Sequence, residues 1–111
     1  MADVKEKLEA VNGRLMGLFK AEKQTMMAFN SLTVAATRAG KISAAIKELT
    51  AVAIAVGKGC EDCILYHAAA AKKHGASRDE LIEILAVSVE MSGGPGAVYA
   101  AKALEAFDQL A

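Results

Sequence analysis

Apolar residues in this chain recur at three- and four-residue steps, and no stretch sustains the apolar–polar alternation, rich in β-branched residues, of a half-buried strand. That periodicity admits helices and little else. Val4, Leu8, Val11, Leu15, Leu18 and Phe19 mark a first amphipathic helix with Lys, Glu and Arg on its other side. Met26, Met27, Phe29, Leu32 and Val34 mark a second, which gives way at Arg38, Ala39 and Gly40. Ser43 is placed to cap a third helix running to about Val56, where Gly57 and Gly59 break it. The run Ala51 to Val56 resembles a buried strand in isolation, but the Ser cap and the upstream Lys47 and Glu48 favour helix.

From Cys60 to about His74 acids fall in the first turn and bases in the last, the order that complements a helix dipole, and Gly75 ends the run. Ser77 and Glu80 then form a capping-box pattern that opens a helix from Arg78 to about Met91. The segment "SGGPG", Ser92 to Gly96, interrupts the chain, and its Pro95 suits the first turn of a last helix ending near Gln109. The expected fold class is therefore all-α, a bundle of five to six helices with short connections. At 111 residues it fits one domain, 1–111, within the usual range of roughly 50–250. Segments 44–56 and 97–107 are apolar nearly all round, more than a domain this small is expected to bury alone, and homo-oligomerisation is the expected remedy.

Thirteen Lys and Arg balance thirteen Asp and Glu, so the chain lacks the net positive charge that binding to nucleic acid or an anionic membrane draws on. No nucleic acid and no membrane is expected as a partner. The longest uncharged run, Gln24 to Thr37, is shorter than the roughly 20 apolar residues of a spanning helix. The first residues, "MADVKEKLEAV", carry charges where a secretory signal would be apolar. A cytoplasmic location is expected, where closely spaced cysteines are more often catalytic or metal-binding than structural.

The chain has two cysteines, Cys60 and Cys63, and His67 follows one helical turn after the second. At about 100° per residue all three fall within roughly 60° on one helix face. Two effects would favour a thiolate there, and they favour different sulfurs. Cys60 has the better position at the positive helix end, whereas Cys63 has the better access to the imidazole. Metal binding is an alternative, since Cys60, Cys63 and His67 are zinc-type ligands, although no second ligand pair accompanies them. Two buried small hydrophobes beside a core histidine is the plain structural reading. His74 reads as a last-turn dipole partner, and Glu48 on its own helix reads as a solvated charge paired with Lys47 or Lys41.

Glu48 in "IKELTAVAIAVGKGC", the pair in "CEDC", His67 four residues after Cys63, "HGASRDELIEIL" and "GGPGAVYA" together resemble the AhpD-like alkylhydroperoxidase branch of the carboxymuconolactone decarboxylase family, over about residues 29–110. The resemblance implies an all-helical antioxidant protein, trimeric or hexameric, that reduces hydroperoxides through its cysteine pair. It implies Cys63 as the peroxidatic thiol, Cys60 as the resolving, reductant-facing one, and Glu48 with His67 as a proton relay. It also implies an external reductant, thioredoxin-like or lipoyl-bearing, and no bound cofactor; no nucleotide or flavin motif is present, since Gly93, Gly94 and Gly96 follow a helix and not a strand. One position departs from the pattern. Better-characterised peroxidase members carry a histidine immediately before the second cysteine, and this chain has Asp62, whose charge opposes thiolate formation. The family's lactone decarboxylases share the fold without relying on the cysteines, and only the isolated Arg38 stands out here as a candidate for binding a dicarboxylic lactone.

Overall fold

In a computed structural model, which describes residues 3–110, the chain forms five α-helices: α1 (Val4–Ala21), α2 (Lys23–Thr37), α3 (Ala44–Lys58), α4 (Glu61–Lys73) and α5 (Arg78–Gln109). No strand occurs among the described residues. Local chemistry sets most of the boundaries. The Asp3 carboxylate accepts from the Glu6 N–H and the Ser43 hydroxyl from the Ile46 N–H, each satisfying a donor that a helix start leaves without an intrahelical partner. At Ser77 both halves of the capping box are made: the hydroxyl accepts from the Glu80 N–H, and the Glu80 carboxylate accepts from the Ser77 N–H at 2.8 Å.

The core lies between α3, α4 and α5, where Leu49, Val52, Ile64, Ala68, Leu81 and Ala103 are fully buried. Alanines at Ala68, Ala71 and Ala103 let the helices approach closely, which is how a chain with few aromatic residues still packs a core. Val4 and Val11 attach α1 to this unit. Helix α2 contributes no buried residue.

The interruption at Ser92–Gly96 takes a form that the sequence does not specify. Hydrogen bonding carries α5 through it, but Gly93 adopts φ 69° and ψ −152°, a conformation open to glycine alone, so α5 is two helical segments joined at a kink. By length and composition α5 is apolar enough to cross a membrane, which the uncharged-run criterion missed. In this fold it bends at Gly93, with Leu81 and Leu85 before the kink and Ala100, Ala103 and Phe107 after it packed into the bundle, while most of its apolar stretch is left uncovered.

The apolar surplus is real but sits only in part where it was expected. Segment 44–56 is mostly covered, leaving Ile54 as its exposed large residue, whereas Met27, Phe29, Leu32 and Val34 of α2 and Val87, Met91 and Val98 of α5 are all more than half exposed. Alanine-rich faces bury easily against neighbouring helices; the larger side chains of α2 have nothing opposite them.

Candidate active site

Helix α3 ends at Gly59 in the left-handed conformation, φ 67° and ψ 37°, with its N–H bonded back to the carbonyls of Ala55 and Val56. A Cβ there would also stand 3.3 Å from the Tyr99 ring. The dihedral favours glycine, and a side chain there would also press on the Tyr99 ring. The chain leaves this turn directly into Cys60, which is the N-cap of α4 and not its first helical residue: its Sγ accepts from the Cys63 N–H at 3.2 Å. Cys60 and Cys63 are joined by a disulfide across a Cα–Cα distance of 5.3 Å, within the usual span. Cys63 is exposed and Cys60 half-buried.

The two residues between the cysteines anchor this helix end to its neighbours. Glu61 accepts from Lys102 of α5 at 2.8 Å and from Lys7 of α1 at 3.2 Å, and these hydrogen bonds hold its carboxyl below the ordinary value of 4.5. Asp62 accepts from Arg14 of α1 at 2.9 Å.

One turn after Cys63, His67 Nδ1 lies 2.7 Å from Glu48 Oε1. Glu48 is only 5% exposed, so the reading of it as a surface charge is overturned. Lys47 donates instead to the Arg38 carbonyl at 2.7 Å. The signal was present in the helix register: Glu48 precedes Val52 by four residues and Ala55 by seven, which puts it on the buried stripe of α3, facing α4. A carboxylate can only accept, so in the neutral imidazole the proton sits on Nδ1, and Nε2 keeps its lone pair as a base.

Cys63 and His67 both open onto a cleft of about 750 Å³ between α1, α2 and α4, walled by Leu15, Phe19, Met26 and Phe29. Glu48 opens instead onto a second cleft of about 470 Å³, with Thr37, Lys73 and His74. The His67–Glu48 pair thus spans from a largely apolar cavity to a more polar one. Cys60 lines neither cleft. His74 itself is the C-cap of α4, at the helix end where a last-turn dipole partner would stand.

Glu48, Cys63 and His67 are therefore brought together, with Cys60 tied to Cys63. Two neighbours escaped sequence reasoning. Tyr66 packs edge-on against His67 with ring centroids 5.2 Å apart, and Arg14 reaches the cleft from α1. Nothing in "VNGRL" marks Arg14, whose partner lies 48 residues further along the chain. Among the described residues no group of three or more His, Cys, Asp and Glu side chains is arranged to hold a metal.

Residues 22–106 match the model of the carboxymuconolactone decarboxylase family, a span that includes Glu48, Cys60, Cys63 and His67. An uncharacterised protein of Cupriavidus necator is 49% identical over 108 residues, covering 97% of this chain and 96% of that one. An uncharacterised protein of the cox locus of Paracoccus denitrificans is 32% identical over 83 residues, 75% of each. The apo crystal structure of a carboxymuconolactone decarboxylase family protein from Legionella pneumophila superposes with a TM-score of 0.92 at 39% identity over 96% of both chains. With all-helical architecture, family model and solved structure in agreement, the chain belongs to the carboxymuconolactone decarboxylase family.

Proposed function

We propose that this chain is a thiol-dependent hydroperoxide reductase of the AhpD-like kind, working through Cys60 and Cys63 with an external dithiol as electron source. The observation that carries the reading is the hydrogen bond from His67 to the buried Glu48, with the imidazole opening onto the same cleft as Cys63. In the reduced protein His67 Nε2 takes the Cys63 proton, and the thiolate attacks the distal oxygen of ROOH. The O–O bond breaks, Cys63 becomes a sulfenic acid, and the departing alkoxide receives the proton from His67 and leaves as ROH. Cys60 then attacks the sulfenic sulfur and water is lost, giving the disulfide. A dithiol reductant, on a thioredoxin-like or lipoyl-bearing partner, reopens it by exchange and is itself oxidised. Glu48 orients the imidazole and stabilises its charged form. The uncovered apolar faces of α2 and α5 support assembly into a homotrimer or homohexamer.

The test is consumption of an organic hydroperoxide by the reduced protein with a small dithiol, followed together with thiol counts. Cys63→Ser should abolish turnover. With the dithiol left out, Cys60→Ser should stop after one oxidation, with Cys63 trapped as a sulfenic acid or, on adding a monothiol, a mixed disulfide that mass spectrometry detects. Glu48→Gln and His67→Ala should each slow turnover by about 10²–10⁴-fold while the protein remains folded. Two thiols that survive peroxide in the folded parent protein would overturn the proposal.

A further inference from the structure

The acid at Asp62 adjoins Cys63 in sequence and lines the same cleft. Left alone, its negative charge would hold the thiol in its protonated, unreactive form. It is not alone: the Arg14 guanidinium, also on the cleft, sits 2.9 Å from it. We propose that Arg14 is a positioning residue for the thiol chemistry, acting through Asp62 to cancel the charge beside Cys63 and to hold a cation at the cleft mouth. The proposal rests on the reading of Cys63 as a thiol that reacts in its ionised form.

The surroundings of Cys63 leave this task to Arg14. On its own helix stand Asp62, Glu61 and His67; from α3 comes Glu48, already bound to His67; from α5 comes Lys102, committed to Glu61. From α1 come Lys7, also on Glu61, and Arg14. Helix α2 presents Met26, Phe29, Asn30 and Thr33 to the cleft and no charge. Lys7 and Lys102 are spent on Glu61, Lys58 stands at the end of α3 two residues before Cys60, and Arg14 is the cation that meets Asp62. The contact uses one guanidinium nitrogen.

The pair is well exposed, with side chains 62% and 56% accessible, so its contribution to folding is small. Its effect on a thiolate lining the same cleft is a separate matter. One unit charge at about 6 Å in a solvent-dominated dielectric shifts a titration by roughly half to one pH unit. Asp62 holds the guanidinium in place. Without that anchor the arginine has no partner to keep it over the cleft, so the two residues act as one device.

The experiment measures the rate at which iodoacetamide alkylates Cys63 as a function of pH, in reduced protein carrying Cys60→Ser so that one thiol reacts. Serine is itself a good N-cap, so this background keeps the start of α4. Arg14→Gln should move the midpoint of the rate profile up by roughly half to one pH unit, and Arg14→Lys should restore most of it. Asp62→Asn removes the carboxylate and the anchor of its counter-charge together, and should leave the midpoint near the parent's. Adding Arg14→Gln to Asp62→Asn should then shift it little further, a non-additivity that a merely structural role would not produce. The Arg14→Gln shift should also shrink in about 1 M salt. A profile for Arg14→Gln that coincides with the parent's, or a shift that persists undiminished in the Asp62→Asn background, overturns the proposal. Because the assay reads the thiol and needs no peroxide, its failure is separate from failure of the peroxidase reading.

Discussion

Helices α2 and α3 are each 15 residues long, yet one is packed into the molecule and the other merely lies against it. Helix α3 buries Glu48, Leu49, Val52, Ala55 and Val56, whereas no residue of α2 is buried. The site divides along the same line. The groups proposed to react, Glu48, Cys60, Cys63 and His67, all lie on or between α3 and α4, which pack against each other through the core; one wall of the cleft, including Met26 and Phe29, belongs to α2. Chemistry that needs fixed distances thus sits on the well-packed half, and the surface a substrate would touch sits on the half with few constraints. Unbranched Met side chains on that wall add adaptability, since they fill irregular space without a strong rotamer preference.

The largest test of this contrast is stability. Leu49→Ala removes a fully buried side chain from α3 and should cost about 2–5 kcal/mol, read by denaturant unfolding. Leu32→Ala in α2, where the side chain is 62% exposed, should stay within about 0.5 kcal/mol under dilute conditions. Comparable losses at both positions would break the comparison.

A second test sharpens it by asking what covers α2. Leu32 and Val34 are both exposed, and a charge at each should lower the mass measured by light scattering at micromolar concentration if α2 meets another copy, while the unfolding midpoint of the dissociated chain stays near the parent's. An unchanged mass would move the interface to Val87, Met91 and Val98 on α5.

The smallest effect concerns how α1 is attached. Glu61 is held below its ordinary pKa by Lys102 and Lys7, so its contribution to stability is complete above the unfolded value near 4.5 and drains away as the pH falls through the lower folded value. Glu61→Gln should therefore be less stable than the parent at neutral pH, with the two converging in acid. A constant gap across that range would mean that packing, and not charge, joins α1, α4 and α5 at this point.

Much of this architecture can be read in the residues, because it depends on local rules. The caps at Ser43 and Ser77, the charge order of α4 and the glycine stops at Gly59 and Gly75 each act within a few residues of the helix end they set. The grouping of Cys60, Cys63 and His67 follows from helix pitch alone. Glu48 was harder: its neighbours Lys47 and Thr50 suggest a wet surface, and only the register of Leu49, Val52 and Ala55 shows that it turns inward. Arg14 was out of reach, because a contact between helices separated by most of half the chain depends on how α1 docks, and no short-range pattern encodes that. The exposure of α2 was hidden for the related reason that Met26, Met27 and Phe29 look like core residues wherever their partner surface is assumed to exist.

Glu48 and His67 are separated by only 19 positions, and both cysteines lie between them. The proposed reactive constellation is thus a product of one helical hairpin whose turn is set by Gly59. Contacts this close in sequence close with a small loss of chain entropy and form early compared with long-range pairings. A chain emerging during synthesis would therefore assemble its reactive hairpin before the later half of α5, from Gly94 onward, has joined the core. For protein engineering the same fact makes residues 43–75 a transferable unit: grafted between two other helices that cover its apolar face, the hairpin would carry the carboxylate, imidazole and both sulfurs in register, leaving the host to supply only the cleft.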